Sequence, residues 1–439
     1  MTGSYLHPPA PKVTAWYHKL DHTTFLAWLA LIAASLVAIY STTHGPAAEL
    51  LSASVQSNFQ SQLVWAIVCT VGMGIALMLP VRFYQRAAYP AYAICIGLLV
   101  LTLFIGQEVG GATSWLVIGG MNLQASELAK VGTVMTVAKV LSAQPADREQ
   151  SNVRYAAGAV GLLLLPAVLI LMQNDTGTAL VFLGLIPIML FWSGLPLATC
   201  ALMVSPGVAG YFAIRGTTVE WWLWVAVAFA VVFTAGIWWA TRKRYMTILA
   251  ALFTGGVILI STVAINEVLA PHQTARIKSF TNPDAPEYRK GVGFHLVQSK
   301  AAIGSGGLWG KGYMEGTQTQ GAYIPEQSTD FIFSVIGEEL GFVGGITLLL
   351  LLGVLIIRLV QLGARVKHPF GSMVAAGAAG IYLIHVFVNV GMATGLLPVI
   401  GIPLPFVSYG GSAMLANSAM LAIVLALHMR RDDFSIYGY

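Results

Sequence analysis

Hydrophobic residues in this chain occur in long runs, rather than alternating with polar residues as they do in half-buried strands. From residue 25 onward the runs recur at about the 17–25 residues that cross ~30 Å of hydrocarbon. Backbone amides in lipid must be paired within the segment, so the runs are predicted to be helices. The pattern indicates an all-α polytopic membrane protein with about twelve transmembrane helices. They are placed at 25–42, 61–80, 88–106, 126–142, 156–173, 177–194, 197–214, 221–240, 246–266, 331–358, 372–396 and 409–429.

The basic residues in the short connections predict the orientation. Cytoplasmic loops carry an excess of Lys and Arg. With the N-terminus inside, every basic cluster in a short connection falls on the same side, so we predict that both termini are cytoplasmic. These clusters are Arg82 and Arg86, Arg148 and Arg154, Arg242 to Arg244, Arg358 to Lys367, and Arg430 and Arg431.

Composition excludes an ordinary soluble protein. Hydrophobic residues make up 57% of the 439 residues and charged residues only 9%, against roughly 25% charged in soluble domains. The net charge of +5 comes from basic residues scattered between apolar runs, which argues against nucleic-acid binding. Cys69, Cys95 and Cys200 have no metal-binding spacing, so they are predicted to be packing residues, and no metal site is predicted.

We predict one domain. Residues 1–20 form a cytoplasmic tail, predicted to be disordered, and residues 21–439 form a single transmembrane domain with a large extracytoplasmic loop at 267–330. Long loops escape the charge rule, but a concentration of basic residues outside favours an anionic ligand there. Short helices at the membrane surface are expected in this loop. Its basic residues are Arg276, Lys278, Arg289, Lys290, Lys300 and Lys311.

Ionisable residues at the edge of a span are functional candidates, because burying charge in a membrane is costly. Glu127 and Lys130, in NLQASELAK, lie three residues apart and therefore on one helix face. They form either a structural ion pair or a pair that lines a polar cavity and orients a substrate. Asp175, in QNDTGTA, either caps the next helix or faces the same cavity.

The segment IPEQSTDFIFSVIGEELG, residues 324–341, is the strongest candidate site. Asp330 lies where the outer loop enters the tenth predicted span. It is either an N-cap carboxylate or a general base at the boundary between water and hydrocarbon. Glu338 and Glu339 lie two turns further on and require buried partners.

Two other segments predict irregular backbone near the outer face. SKAAIGSGGLWGKGYMEGTQTQ places several glycines beside Lys300 and Lys311, where backbone amides can approach a phosphate. LLPVIGIPLPFVSYGGSAM contains three prolines followed by Gly410 and Gly411, so the helix must break there. Irregular backbone at membrane depth is tolerated where it lines protein or a water-filled cavity.

These motifs, with QASELAK and QNDTGTA, resemble the SEDS family (shape, elongation, division and sporulation), and the GKG and GTQ elements resemble its rod-shape branch. The resemblance covers most of the chain. It implies a peptidoglycan glycosyltransferase that polymerises lipid II at the outer face of the bacterial cytoplasmic membrane during elongation. The expected partner is a class B penicillin-binding protein, a transpeptidase.

The resemblance also assigns residues. Asp330 matches the family's essential aspartate, and Glu127 and Lys130 match a pair associated with activity. We assign substrate binding to Glu127, Lys130, Arg276, Lys300, Lys311, Gln318, Glu326 and Ser408.

The chain departs from the family pattern in two ways. Ser328 stands where family members commonly have His, so no role for that His is carried over. Residues 195–266 hold three apolar runs where one is expected, which suggests two helices inserted into a ten-helix core.

The mechanism expected from these residues is an inverting displacement. Asp330 takes the proton from the acceptor GlcNAc 4-hydroxyl, which attacks the donor's anomeric carbon. Lys130, Lys311, Arg276 or Lys300 stabilises the departing undecaprenyl pyrophosphate. No cofactor is specified; a divalent cation such as Mg²⁺ is left open, since no ligand cluster defines one. The alternatives are a flippase for a lipid-linked precursor and a scaffold that activates a transpeptidase.

Overall fold

The protein is described from a computed structural model. It covers residues 19–46, 52–109, 112–118, 121–144, 151–263, 280–282, 285, 293–324 and 326–431. Arg276, the predicted N-terminal tail up to residue 18, and much of the predicted loop at 267–330 lie outside the described residues.

Helices form at all twelve predicted spans. Ten of the described helices are long and apolar enough to cross a membrane. The other two are α5, which carries the Glu127–Lys130 pair, and α7, which has only 17 residues. A mostly helical, multi-pass membrane protein is thus confirmed, whereas the number of crossings and the side of each terminus stay predictions. The bounds are α1 His22–His44, α2 Ala53–Gln56, α3 Asn58–Met78, α4 Val81–Ile105, α5 Ala125–Ser142, α6 Ser151–Met172, α7 Thr176–Trp192, α8 Leu197–Gly216, α9 Trp221–Thr241, α10 Arg244–Val263, α11 Phe294–Ser305, α12 Thr317–Gln320, α13 Ile332–Glu339, α14 Gly341–Arg365, α15 Pro369–Ala393 and α16 Gly411–Met429.

The tenth predicted span, 331–358, is divided into α13 and α14, which corrects the sequence prediction. The break occurs at Gly341, whose φ of +67° favours glycine. A Cβ at this position would lie 2.2 Å from the backbone N of Gly310, so the outer loop packs directly against the break. Glu338 and Glu339 interrupt the apolar run just before the break, but the single predicted span was drawn across them.

A three-stranded antiparallel sheet, β1 Gln107–Val109, β2 Ala112–Ile118 and β3 Met121–Gln124, joins α4 to α5 and was not predicted. β2 pairs with both neighbours, in register Trp115 to Gln124 on one side. The sheet is anchored to the bundle where Thr113 N donates to Gln173 O at 3.0 Å. The missed signal was an apolar run between Gly-Gly pairs, which is typical of short strands.

The main hydrophobic core is formed by α5, α15 and α16 with the surrounding helices. α8, α9 and α10 contact one another and have a small core of their own, built on Leu202, Ile237 and Ala250. An apolar groove of about 820 Å³ runs between α9 and α10, from Leu223 to Thr262. The bundle therefore consists of a densely packed body and a peripheral group of three helices.

Short helices of the outer loop pack on the end of the bundle that the charge rule places outside. α11 lies against α13 and the end of α15. Ser299 connects them, because its Oγ lies 2.6 Å from Ser334 Oγ and donates to Ala393 O at 2.6 Å. α11 and α12 match the short helices expected in this loop.

Candidate active site

Asp330 lies on a tight turn between α12 and α13. The carbonyl of Glu326 accepts from the backbone N–H groups of Thr329 and Phe331, each at 3.2 Å. Glu326 has a φ of +51°, in the left-handed region that non-glycine residues rarely adopt. The turn therefore has a fixed and strained backbone, as functional sites often do.

Neighbouring elements hold this turn from two sides. Asn58 on α3 donates from Nδ2 to Ser328 Oγ at 3.1 Å. The backbone N of Tyr409 donates to Ser328 O at 2.8 Å, and Ser408 Oγ donates to Thr329 O at 2.5 Å. Ser328 is thus a buried anchor of the turn.

The N-cap interpretation of Asp330 is wrong. Phe331 is the N-cap residue of α13, and among the described residues no side-chain hydrogen bond caps that helix end. Asp330 is a half-buried residue, and its Oδ2 would lie 3.3 Å from a Cβ built on Gly401. Gly401 has a φ of +68°, which favours glycine, and any larger residue there would crowd the carboxylate.

The surroundings of Asp330 favour its protonated form. Burial, and then the negative charges of Glu326 and Asp175, raise the pKa of the Asp330 carboxyl to about 7. A carboxyl with a pKa near 7 exchanges protons readily at neutral pH, which is the property of a general acid or base. His295 also lies near this turn: its ring stacks on Phe331 at 6.1 Å, and burial lowers the pKa of His295.

Asp175 has the capping role that the sequence left open. Its side chain caps α7, accepting from Thr178 N and from Thr178 Oγ1, each at 2.9 Å. It also accepts from Gln124 Nε2 at 3.2 Å, at the end of β3. Because its charge acts on Asp330, it also belongs to the electrostatic surroundings of the candidate base.

Glu127 and Lys130 form an ion pair of 2.8 Å that is buried inside the bundle. Lys130 Nζ also lies 2.9 Å from Nε2 of His385 on α15. The second oxygen of Glu127 has no hydrogen-bond partner among the described residues. The structural ion pair predicted from the sequence is therefore present, and neither charged group reaches the surface.

The other predicted substrate-binding residues lie in different surroundings. Lys311 Nζ is 2.7 Å from Glu338 Oε1, and Glu338 also accepts from the backbone N of Gln318 at 2.9 Å. Glu339 accepts from Ser41 Oγ on α1 and from Gln320 Nε2, at the end of the glycine-rich segment, at 2.8 Å. The two carboxylates thus fix the glycine-rich segment onto α13 rather than leaving it free.

Lys300 on α11 is exposed, and its ammonium has no hydrogen bond or ion pair with the described residues. Its side chain lies beside Gly395. Arg215, at the end of α8, donates from Nη2 to the carbonyl of that same Gly395 at 2.9 Å and packs over the Phe280 ring. Arg215 is a cation that the sequence analysis did not single out.

The described residues include no group of three His, Cys, Asp or Glu side chains placed to hold a metal ion. Two polar residues of the site, His385 and Asn389, were also missed by the sequence analysis. Both are buried within α15, and polar groups inside a span are the signal that should have identified them.

The family model for FtsW, RodA and SpoVE, described as cell cycle proteins, matches residues 21–222 and 216–433. The two segments cover nearly the whole chain. The chain belongs to this family.

Relatives within the FtsW, RodA and SpoVE family match along almost their full lengths. The peptidoglycan glycosyltransferase RodA of Treponema pallidum is 32% identical over 437 residues, which is 94% of this chain and 98% of that protein. The peptidoglycan glycosyltransferase MrdB of Escherichia coli K12 is 33% identical over 426 residues, 97% of this chain and 98% of that protein.

Solved structures of the family have the same fold. A chain from a peptidoglycan synthase complex that coordinates polymerisation and crosslinking superimposes with a TM-score of 0.69 at 27% identity, covering 94% of this chain and 98% of that chain. The rod shape determining protein RodA of Thermus thermophilus gives a TM-score of 0.59 at 25% identity, with the same coverage.

Proposed function

We propose that this protein is a peptidoglycan glycosyltransferase that polymerises lipid II during cell elongation. The family model and the full-length likeness to RodA and MrdB support a glycosyltransferase of the cell-elongation type. The finer assignment, to lipid II as substrate and to an active site on the outer face of the bacterial cytoplasmic membrane, rests on the site itself.

Asp330 carries the proposal. Asp330 lies on a turn fixed by hydrogen bonds, it is half-buried, and its carboxyl has a pKa of about 7. A base with this pKa is half deprotonated at neutral pH and still strong enough to accept a proton from a hydroxyl in the transition state. Glu326, which is exposed on the same turn, is the side chain proposed to meet the incoming sugar.

The proposed reaction is a single displacement. The Asp330 carboxylate takes the proton of the acceptor GlcNAc 4-hydroxyl as its oxygen bonds to the anomeric carbon of the donor MurNAc. The bond from that carbon to the diphosphate breaks with its electron pair, and undecaprenyl pyrophosphate leaves. One displacement inverts the centre and gives a β-1,4 linkage.

Among the three considered cations that the structure describes, Lys300 fits the diphosphate best; Arg276 lies outside the described residues. Its exposed ammonium is free of described partners, whereas Lys311 is paired with Glu338 and Lys130 is buried with Glu127. An exposed cation of this kind would stabilise the charge that develops on the leaving group. The proposed steps use no metal ion; comparing activity with and without a chelator tests whether Mg²⁺ contributes.

A class B penicillin-binding protein is the proposed partner. The likeness to a chain of a synthase complex that coordinates polymerisation and crosslinking supports a partner that performs crosslinking. Co-purification of the full-length chain with that transpeptidase tests this part of the proposal.

Asp330→Asn provides the central test, because it preserves shape while removing the base. The full-length variant in vesicles is expected to produce no glycan chains from lipid II on a gel, with or without the partner. Glu315→Gln is a matched control, since Glu315 is an exposed carboxylate of the same outer loop. It is expected to polymerise at the wild-type rate.

The same variant separates the alternatives. If Asp330→Asn polymerised lipid II at the native rate, the proposed mechanism would be wrong. If the protein were only a scaffold, Asp330→Asn would keep its function in cells as long as the complex with the transpeptidase assembled. A flippase would move labelled lipid II across vesicles without producing chains.

A further inference from the structure

The outer part of α15 carries two buried polar side chains one turn apart, His385 and Asn389. They are 1% and 0% exposed, and polar groups this deep in a span require partners. Each of them binds backbone in the loop between α15 and α16, next to the Asp330 turn.

Asn389 connects the two segments that flank the Asp330 carboxylate. Its Nδ2 donates to Asp330 O at 2.9 Å and to Ile402 O at 2.7 Å, so both amide hydrogens are used. Reversing the amide would place its oxygen against two carbonyl oxygens, so only this orientation fits. Ile402 follows Gly401, the residue beside the Asp330 carboxylate.

His385 holds the next residue of the same loop. Its Nδ1 lies 2.9 Å from Pro403 O, and a carbonyl only accepts, so Nδ1 is the donor. In the neutral ring, Nε2 then offers a lone pair to the Lys130 ammonium at 2.9 Å. Glu127 lies on the other side of Lys130. The buried ion pair is thereby connected to the loop at residue 403.

We propose that Asn389 and His385 are positioning residues that fix Asp330 for proton transfer, and that Glu127 and Lys130 act through His385 rather than by touching substrate. The inference rests on the proposed role of Asp330. A displacement of about 1 Å at a reacting group costs on the order of a hundredfold in rate, so losing these bonds lowers turnover. Substrate binding is unaffected, because none of the four side chains is exposed.

The test measures kcat and KM for lipid II with full-length Asn389→Leu, which has the same branching at Cγ, is somewhat larger and makes neither bond. We expect kcat to fall at least about tenfold and KM to stay at the wild-type value. Tyr382→Phe is the matched control. Tyr382 is buried on the same helix and donates to Asn417 O at 2.7 Å, so it loses one bond of the same kind away from Asp330. Its kcat is expected to be unchanged.

Two variants of His385 test the proposal if Asn389→Leu does not fold. Asn at position 385 retains a donor near the place of Nδ1, whereas Gln retains a polar group near Nε2 and loses that donor. His385→Asn is expected to keep a higher kcat than His385→Gln, with equal KM. The reverse order would overturn the inference.

A rise in KM with unchanged kcat in any of these variants would also overturn it, as would wild-type kcat in a folded Asn389→Leu. These outcomes differ from a failure of the proposed function, in which wild-type protein would produce no glycan chains or Asp330→Asn would remain fully active.

Discussion

The central helices α15 and α16 differ sharply from the peripheral helices α9 and α10. In the most apolar stretch of each, 89% of α16 and 72% of α15 is buried in the protein, but only 11% of α9 and of α10. All four are apolar enough to cross a membrane. Hydropathy therefore identifies a span without telling whether it faces protein or lipid.

Polar and small residues account for the difference. α15 and α16 bury His385, Asn389, Asn417 and Ser418 among glycines and alanines. Without a strong hydrophobic force between helices in lipid, close packing of small residues and interhelical hydrogen bonds hold such helices together. The exposed faces of α9 and α10 carry large apolar side chains, such as Trp239 and Leu259. The central region is thus built for precise contacts and the periphery for contact with lipid.

The largest expected contrast concerns charge. Lys130→Met leaves the buried Glu127 carboxylate unpaired and is expected to destabilise the protein by about 3–5 kcal/mol. Lys243→Met, at an exposed position between α9 and α10, is expected to change stability by less than about 0.5 kcal/mol. Thermal unfolding in detergent measures both. Replacing both Glu127 and Lys130 by Met should recover most of the stability lost in Lys130→Met. If it did not, that loss would come from packing rather than from the unpaired charge.

Truncation of leucine gives the second contrast. Leu425 on α16 is fully buried, whereas Leu259 on α10 is 66% exposed. Leu425→Ala leaves a cavity and is expected to cost about 2–4 kcal/mol. Leu259→Ala should have little effect, because lipid fills the space. Equal losses in the unfolding temperature would contradict the division into a packed body and a lipid-facing periphery.

Glycine substitutions give a smaller contrast. A Cβ at Gly377 on α15 would lie 2.5 Å from Val134 Cγ1 on α5, whereas nothing lies within 4 Å of one at Gly255 on α10. Gly377→Ala is expected to cost about 1–3 kcal/mol through overpacking. Gly255→Ala should be neutral or stabilising by up to about 1 kcal/mol, because Ala favours the helix. Thermal unfolding in detergent measures both variants. If Gly255→Ala were destabilised, α10 would have a packing partner on that face.

The pH dependence of turnover is the finest test of the central site. The raised pKa of Asp330, about 7, makes the active carboxylate scarce in acid, so the polymerisation rate should rise about tenfold from pH 6 to pH 8. Glu326 raises this pKa by its negative charge. Removing the charge with Glu326→Gln lowers the pKa, so the rise should move to lower pH. If the pH profile of Glu326→Gln matched that of the wild-type protein, the charge of Glu326 would not act on the group that titrates.

Much of the candidate site was predictable from local sequence. Asp330 was predicted where the outer loop enters the tenth span; it lies two residues before the short helix α13, and the membrane-length helix begins only at Gly341. The irregular backbone predicted for residues 396–414 is present at Phe406. The Glu127–Lys130 pair followed from helical spacing and is confirmed. The substrate-binding roles of Lys300, Lys311, Gln318 and Ser408 stay predictions.

The sequence by itself determined where the long apolar helices form and which residues bring charge near their ends, because lipid penalises every unpaired polar group within a segment. Tertiary structure alone decided the partners of those residues. His385 meets Lys130 across 255 positions, and Asn389 reaches Asp330 across 59. Such contacts decide whether Asp330 is a helix cap or a base, and which helices face the core or the lipid. No local pattern of residues specifies them.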